Sequence, residues 1–214
     1  YADSLTVART VSVTATNDAP SITSDGGGAL AVRSVAENTT AVTTVVATDV
    51  DLPVQTLSYS ITGGADAARF TIDSATGVLQ FAVAPDHEAP SDANADNVYD
   101  VTVQVSDGSL TASQAIAVTV TAVNDSTPAI TSGSAFSVAE NTTAVTTVTA
   151  TDGDLPAQTL TYSITGGADA ARFTIDVATG ALSFQAAPDH EAPSDANADN
   201  VYDVTVQVSD GSLT

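Results

Sequence analysis

The sequence contains no cysteine and very few basic residues. Four arginines and no lysine stand against 26 acidic residues among 214, which gives a formal net charge of −22. Without cysteine, the fold cannot be stabilised by disulfides and no thiolate can serve as a nucleophile. The excess negative charge repels phosphate, which excludes nucleic acid and anionic membrane surfaces as partners. Long apolar runs are also missing, so no membrane insertion is expected.

The dominant feature that is present is an internal repeat. The segment from Glu37 to Thr111 returns as Glu140 to Thr214, shifted by 103 positions, with 66 of 75 residues identical. A period of this length matches an independent domain and is too long for a solenoid unit. We therefore predict two tandem repeats, one over residues 19–125 and one over residues 126–214, the second lacking its final strand.

The N-terminal segment adds part of a third repeat. Residues 5–15 resemble residues 110–122, and both segments run into an Asn-Asp pair. We interpret residues 1–18 as the final strand and linker of a preceding repeat. An unpaired sheet edge in the second repeat and a spare strand at the N-terminus would allow strand exchange between chains.

Alternation of apolar and polar residues predicts the fold class. Tyr99, Val101, Val103 and Val105 alternate with polar residues, and short segments of this kind are separated by turn residues throughout each repeat. Such a pattern is typical of strands packed on one face. We predict an all-β chain of tandem, seven-stranded Greek-key β-sandwiches of the immunoglobulin-like type.

The acidic residues are clustered at predicted strand ends and loops. Hard oxygen ligands without cysteine partners suit Ca²⁺, which takes about 6–8 oxygen ligands. Carboxylates gathered without a cation would repel one another. Ca²⁺ is therefore the predicted cofactor. The motifs in the first period are Glu37-Asn38, Asp49-Val50-Asp51, Asp86-His87-Glu88, Asp92–Asn97, Asp107-Gly108 and Asn124-Asp125.

These motifs resemble those of cadherin repeats, in their order and spacing along the whole chain. Ala36-Glu37-Asn38 resembles the family's Pro-Glu-Asn motif, Asp49-Val50-Asp51 its Asp-x-Asp loop, and Asp86-His87-Glu88 its Asp-x-Glu motif. Phe70–Asp73 followed by Thr76–Leu79 is similar to the family's Phe-x-Ile-Asp and Thr-Gly-x-Leu turn. The similarity is greatest to the cadherin-like repeats of giant secreted bacterial adhesins of the RTX or biofilm type.

The resemblance implies calcium ions between consecutive repeats, and therefore neighbouring cadherin-like repeats as partners. A complete junction would use Glu37, Asp86, Glu88, Asn124, Asp125, Asp152, Asp154 and Asp210. A second, upstream junction would use Asn17, Asp18, Asp49, Asp51 and Asp107, and a downstream one would use Glu140, Asp189 and Glu191. The linkers depart from the family pattern at Ala15 and Ala122, which stand where the family has Asp, so one or two ions per junction are expected.

The loop Asp92–Asn97 has two interpretations. Its Asp-x-Asn-x-Asp spacing resembles a calcium loop, but the glycine and the closing glutamate of such loops are missing. It is either an additional metal site or a solvated polar loop. The candidate ligands are Asp92, Asn94 and Asp96, with Asp195, Asn197 and Asp199 in the second repeat.

The sequence predicts no enzyme. Asp86 and Glu88 could form a glycosidase pair, but they lie among many other acids with no aromatic-lined cleft indicated. We predict a calcium-rigidified extracellular array, the stalk and adhesion module of a large bacterial surface protein. Two alternatives stay open: a module that binds surface polysaccharide or its own kind, and a fibre subunit that joins like chains head to tail by strand addition.

Overall fold

The computed structural model describes residues 8–214. The chain divides into two compact units, unit 1 ending at Thr121 and unit 2 running from Ala122 to Thr214. The strand predicted over residues 5–15 begins outside the described residues. Its described part, residues 8–15, is in no strand, and the side chains of Val11 and Val13 are 89% and 94% exposed.

Unit 1 is a sandwich of short strands with two 3₁₀ turns, at Ser24–Gly27 and Ala67–Arg69. Counting β1 with β2 and β3 with β4, as strands interrupted by a turn or a bend, gives seven strands. The strands are β1 (Ser21–Ile22), β2 (Leu30–Ala36), β3 (Ala41–Thr44), β4 (Ala47–Thr48), β5 (Ser58–Gly63), β6 (Phe70–Ile72), β7 (Val78–Phe81), β8 (Val98–Ser106) and β9 (Thr111–Thr121).

Two main sheets and one short pair make up unit 1. The larger sheet has the order β2-β9-β8-β5, the smaller has the order β3-β7-β6, and β1 pairs with β4. Strand β9 runs antiparallel to β8 but parallel to β2, with Leu30 opposite Ala115 and Ala36 opposite Thr121. The first long strand of the unit therefore lies beside its last one.

The core of unit 1 lies between these sheets. It is formed by the apolar residues of the alternating apolar and polar pattern. Tyr99, Val101, Val103 and Val105 are at most 1% exposed, whereas Asp100, between Tyr99 and Val101 on the chain, faces solvent. Burial of each such side chain contributes about 1.5–3 kcal/mol to stability. The predicted all-β fold is confirmed.

Aromatic rings fill one end of this core. The rings of Phe70 and Phe81 stack with centroids 4.6 Å apart, and the ring of Tyr99 meets Phe81 edge-on at 5.1 Å. Phe173, Phe184 and Tyr202 repeat the arrangement in unit 2. These rings pack against one another inside each sandwich, as aromatic pairs prefer.

A tight turn joins β6 to β7. The Asp73 carboxylate accepts hydrogen bonds from the backbone N–H groups of Ala75 and Thr76 at 3.0 and 2.8 Å. Gly77 follows at φ +72°, and a Cβ there would collide with the carbonyl oxygen of Val45. The backbone N–H of Val45 donates to the Gly77 carbonyl at 2.8 Å. Only glycine at position 77 allows these two backbone segments to approach this closely.

Unit 2 repeats this architecture with fewer paired strands. Its sheets are β10-β12, β11-β15-β14 and β13-β16, with a 3₁₀ turn at Ala170–Arg172. The strands are β10 (Ala129–Ile130), β11 (Ala144–Thr147), β12 (Ala150–Thr151), β13 (Thr161–Gly166), β14 (Phe173–Ile175), β15 (Ala181–Phe184) and β16 (Thr205–Ser209).

The larger sheet of unit 2 is incomplete. Residues 133–139 and 201–204, which match β2 and the start of β8, are in no strand. In unit 1 both of these segments pair with β9, and the described part of unit 2 has no strand in that position. Within residues 122–214 these two segments have no strand to pair with, and Tyr202 is half-buried where Tyr99 is 1% exposed.

No helix within residues 8–214 has the length and apolarity required to cross a membrane.

Candidate calcium sites

The acidic motifs gather into groups at the strand ends of each unit. Within residues 8–214, one ligand oxygen from each member of a group lies within 4.8 Å of the others. Unit 1 has two such groups and unit 2 has two. They are Glu37 with Asp86 and Glu88, Asp49 with Asp51 and Asp107, Glu140 with Asp189 and Glu191, and Asp152 with Asp154 and Asp210.

The Asp49 group is built by local backbone geometry and by the segment before β1. Asp49 Oδ1 accepts a hydrogen bond from the backbone N–H of Asp51 at 2.9 Å, which folds the Asp-x-Asp loop on itself. Asp51 Oδ2 accepts from the backbone N–H of Asp18 at 2.9 Å, and Asn17 Nδ2 donates to Asp107 Oδ2 at 2.8 Å. Residues 17–18 are thereby fixed beside the three carboxylates.

The Asp152 group has the same construction in unit 2. The backbone N–H of Asp154 donates to Asp152 Oδ1 at 3.0 Å, and that of Ser126 donates to Asp154 Oδ1 at 3.1 Å. With its amide oriented so that both ends are satisfied, Asn124 donates to Asp210 Oδ2 at 3.2 Å. Asp154 is 3% exposed, so its carboxyl group lies buried beside two others.

In the Asp49 group and the Asp152 group, backbone N–H groups favour the ionised form of the third carboxylate. The N–H groups of Leu110 and Ser109 lower the pKa of Asp107 below its usual value. Burial, the largest single influence on Asp210, raises the pKa of that carboxyl. The N–H groups of Leu213 and Ser212 outweigh this effect, so the pKa of Asp210 is also lowered.

Both groups contain a carboxylate oxygen that the protein itself does not satisfy. Asp49 Oδ2 and Asp152 Oδ2 are buried and accept no hydrogen bond from protein. Buried polar atoms are normally paired, and an anionic oxygen without a partner is costly. Three carboxylates, an amide side chain and one orphaned oxygen fit a hard cation with oxygen ligands, so the donor set suits Ca²⁺.

The Glu37 group lies at the other end of unit 1. Glu37 is 2% exposed, its Oε2 accepts the backbone N–H of His87 at 2.7 Å, and its own N–H donates to the carbonyl of Thr121. Asp86 Oδ1 accepts the N–H of Glu88 at 3.0 Å. Strand β9 runs from the Asp107 end of unit 1 to this group and has 11 residues, so the two groups lie about 33 Å apart.

The matching group of unit 2 is open to solvent. Glu140 Oε2 accepts the N–H of His190 at 3.0 Å, and Asp189 Oδ1 accepts that of Glu191 at 3.0 Å, as in unit 1. All three carboxylates are nevertheless exposed. In unit 1 the N–H of Glu37 is hydrogen-bonded to the end of β9 at Thr121, and unit 2 has no described strand in that place.

The loops at Asp92–Asn97 and Asp195–Asn200 are organised differently. Asp92 Oδ2 accepts the N–H of Asp96 at 2.9 Å, and Asp96 Oδ2 accepts the side-chain amide of Asn94 at 2.8 Å. Asp195, Asn197 and Asp199 repeat these bonds. The carboxylates satisfy their own loop, which favours the polar-loop interpretation. An additional ion there remains a prediction.

Two residues that complete the Asn17 and Asn124 environments were not identified from the sequence. Gln55 Nε2 donates to Asn17 Oδ1 at 2.5 Å, and Gln158 Nε2 is hydrogen-bonded at 3.4 Å to Asp154 Oδ2. The sequence feature that could have identified them is a glutamine four residues after Asp51 and a second glutamine four residues after Asp154.

Comparison with known proteins identifies the family. The family model for the cadherin domain matches residues 31–123 and, a second time, residues 134–214, which together are most of the chain. This chain belongs to the cadherin domain family. Cadherin domains are extracellular, non-enzymatic adhesion modules and in general bind calcium. Residues 31–123 and 134–214 are thus cadherin repeats, as the motif order indicated.

Two curated relatives are protocadherins. The chain is 32% identical over 162 residues to human (Homo sapiens) Protocadherin Fat 1, covering 72% of the chain, and 34% identical over 181 residues to mouse (Mus musculus) Protocadherin Fat 4, covering 81%. The chain spans only 3% of the length of either protein. It also matches Halomucin of Haloquadratum walsbyi at 51% identity, but over only 37 residues.

Solved cadherin structures share the fold. Domains 3–6 of Protocadherin Gamma B2 match with a TM-score of 0.56 at 26% identity, over 79% of this chain and 44% of that one. Human Protocadherin-24 EC1-2 matches with a TM-score of 0.62 at 23% identity, over 91% of this chain and 94% of that one. Both are tandem cadherin domains by their names.

Proposed function

We propose that this chain is a calcium-rigidified segment of an extracellular stalk in a large bacterial surface protein, which presents an adhesive region away from the cell. The observation that carries the proposal is the pair of equivalent carboxylate groups around Asp49 and Asp152, each with a buried oxygen that no protein donor satisfies. A divalent cation would complete both.

Rigidity follows from where the linker residues are held. Asn124 and Ser126 are hydrogen-bonded to the carboxylates of the following repeat, as Asn17 and Asp18 are in unit 1. An ion bound by these carboxylates would fix the short linker. Ligands contributed by Glu37, Asp86 and Glu88 of the preceding repeat, as the resemblance implies, would then tie successive repeats into a rod. Without calcium, acidic ends would repel and the linker would be mobile.

The near-identity of the repeats also supports a spacer. Length in a stalk depends on copy number, and two copies with 66 of 75 residues identical are what repetition for length produces. Binding of polysaccharide is less well supported, because sugars stack on exposed rings and Phe70, Phe81 and Tyr99 are buried in the core.

Calcium titration by calorimetry tests the site. We expect a dissociation constant of roughly 10⁻⁴–10⁻³ M, typical of extracellular modules. Asp152→Asn with Asp154→Asn should remove one class of site and leave the Asp49 class, and Asp49→Asn with Asp51→Asn should do the reverse. Asp100→Asn with Asp203→Asn removes two exposed carboxylates outside every group and is the matched control.

Small-angle scattering tests the mechanical role. The radius of gyration of the 214-residue chain should be larger in millimolar Ca²⁺ than in EDTA, and the Asp152/Asp154 variant should lose the difference. If calorimetry shows calcium binding but the radius of gyration does not change, the calcium sites are supported and the proposed stiffening is wrong.

A further inference from the structure

Four aspartates in the chain are followed directly by glycine. The pairs are Asp25-Gly26, Asp107-Gly108, Asp152-Gly153 and Asp210-Gly211. Glycine has no side chain to shield its own backbone nitrogen, and its backbone is less restricted than that of any other residue. In such a pair the glycine nitrogen can attack the carboxyl carbon of the aspartate, which is the first step of aspartate isomerisation. The surroundings of each pair decide whether the folded chain allows this step.

In the Asp107-Gly108 pair, both reacting groups are engaged in hydrogen bonds. Asp107 Oδ1 accepts the N–H groups of Ser109 and Leu110 at 2.6 and 2.7 Å. The N–H of Gly108 donates to Ser106 Oγ at 3.0 Å. The nitrogen can therefore attack only after these bonds are broken.

Two further pairs are restrained in related ways. The N–H of Gly211 donates to Ser209 Oγ at 3.0 Å, as in unit 1. Asp25 forms an ion pair with Arg33, and its side chain is 6% exposed. An ion-paired carboxylate is held in place and stays charged, which makes its oxygen a poor leaving group.

The Asp152-Gly153 pair lacks this protection. Among residues 8–214, the N–H of Gly153 has no hydrogen-bond acceptor, and Asp152 Oδ2 accepts no hydrogen bond. Asp152 Oδ1 accepts the N–H of Asp154 at 3.0 Å, which turns the carboxyl group back toward the peptide of Gly153. Gly153 is exposed, so water reaches the place where the reaction would occur.

Unit 1 has a different residue in the same loop. Val50 stands in the place of Gly153 and is 78% exposed. A β-branched side chain shields the adjacent nitrogen and restricts the backbone. The linker residue differs as well, since unit 1 has Ala19 where unit 2 has Ser126. A Cβ at position 153 would lie 3.1 Å from Ser126 Oγ, so the smaller alanine accompanies the larger valine.

We propose that Asp152-Gly153 is a site of spontaneous aspartate isomerisation in the folded chain when no cation occupies the Asp152 group. The Gly153 nitrogen loses its proton and bonds to Asp152 Cγ, and a carboxyl oxygen leaves as water, which closes a five-membered succinimide. Water then adds to the backbone carbonyl carbon of residue 152 and breaks its bond to the Gly153 nitrogen. The product is isoaspartate, with the mass of the original chain.

The product destroys the loop that builds the carboxylate group of unit 2. In isoaspartate the main chain runs through the former side chain and is one carbon longer, and the remaining carboxylate is attached directly to Cα. The hydrogen bond from the Asp154 N–H to Asp152 Oδ1 is then lost, and Asp152 no longer meets Asp210. An aged chain should therefore lose the Asp152 class of calcium sites and keep the Asp49 class. This consequence rests on the proposed function, whereas the isomerisation itself does not.

Ageing of the 214-residue chain in EDTA at neutral pH tests the site. An aspartate-specific endoprotease, which cleaves before aspartate and not before isoaspartate, locates the change in the digest. In the folded chain, isoaspartate should form at Asp152 at least roughly tenfold faster than at Asp107 or Asp210, about 1.4 kcal/mol in the barrier. In urea the three pairs should react at similar rates, because the hydrogen bonds that protect two of them are gone. Millimolar Ca²⁺ should slow the reaction at Asp152 in the folded chain.

Exchanging residues between the two loops separates the effect of glycine from that of the fold. Gly153→Val with Ser126→Ala reproduces the residues of unit 1 and keeps the Ser126 backbone donor, and it should slow isomerisation at Asp152 by at least roughly tenfold. Val50→Gly is the reverse exchange at an exposed position, and it should make Asp49 a second site of isomerisation.

Three results would overturn the proposal. One is equal rates at Asp152, Asp107 and Asp210 in the folded chain. Another is a chain that reacts at Asp152 in urea and not when folded. The last is an unchanged rate in the Gly153/Ser126 variant.

Calorimetry on fresh and aged chains separates this inference from the proposed function. If a fresh chain binds no calcium at the Asp152 group, the proposed function is wrong and the isomerisation in EDTA still stands. If a fully isomerised chain keeps both classes of calcium site, the predicted damage to the loop is wrong.

Discussion

Asp66 and Asp100 exchange two hydrogen bonds. Asp66 Oδ2 accepts the backbone N–H of Asp100 at 2.9 Å, and the N–H of Asp66 donates to the carbonyl of Asp100 at 3.0 Å. Asp66 Oδ1 also accepts the backbone N–H of Ala93 at 2.7 Å, and Asp66 is 5% exposed. One buried carboxylate thus fixes the start of β8 to the loop before it.

Replacing Asp66 by Ala should destabilise unit 1 by about 2–4 kcal/mol, because two amides lose their acceptor in a buried place. Asp169→Ala tests the same contact in unit 2, where Asp169 accepts from Ala196 and Asp203. Guanidinium unfolding measures the loss. Asp100→Ala, which removes an exposed side chain and keeps the backbone donor, is the control; an equal effect from it would contradict the explanation.

The same core substitution should have different effects in the two units. Leu79 is 0% exposed between complete sheets, whereas its counterpart Leu182 lines an open cavity of about 850 Å³ in unit 2. Leu79→Ala should cost about 2–5 kcal/mol, and Leu182→Ala should cost less, because the removed volume there is partly open to water. Val83→Ala, at an 80% exposed position where unit 2 already has Ala186, should be near neutral. Equal losses at Leu79 and Leu182 in unfolding experiments would count against an open cavity beside Leu182.

Acid should weaken the turn between β6 and β7 in a defined range of pH. The backbone N–H and the hydroxyl of Thr76, with the N–H of Ala75, lower the pKa of Asp73 below its ordinary value of 3.8. The folded state therefore binds its proton less readily than the unfolded state. The resulting stabilisation is fully present above about pH 4 and is lost as pH falls through the lowered pKa.

Asp73→Asn isolates this contribution. Wild type should be more stable than the variant at pH 6, and the difference should shrink steadily below pH 4. Unfolding by urea in EDTA keeps calcium out of the comparison. Asp176→Asn is the matched variant, since the N–H and hydroxyl of Thr179 lower the pKa of Asp176 in the same way. A difference that grows toward pH 3 would refute the assignment.

Local patterns in the sequence were sufficient for the strands and for the acidic groups. Tyr99, Val101 and Val103 are buried because alternation along an extended strand determines which face each residue takes. The Asp-x-Asp loops form through a bond between a carboxylate and the N–H two residues later, which the spacing itself encodes. Such features depend on neighbours along the chain.

Features that depend on distant partners could not be predicted. Asp66 was not identified because its two acceptor contacts reach 27 and 34 residues along the chain. Residues 133–139 match a strand of unit 1 in sequence position, yet they are unpaired because a strand needs a partner as well as a pattern. The hydrogen bond from the Asp96 N–H to the Asp92 carboxylate likewise depends on the geometry of the loop, which the residue spacing does not determine.

The parallel pairing of β2 with β9 determines how a complete repeat responds to tension. Force applied through the two ends of unit 1 pulls these adjacent strands in opposite directions along their length. Seven residue pairs, from Leu30 with Ala115 to Ala36 with Thr121, then carry the load together in shear. The bonds cannot be opened one after another, so each complete repeat resists extension as a mechanical clamp.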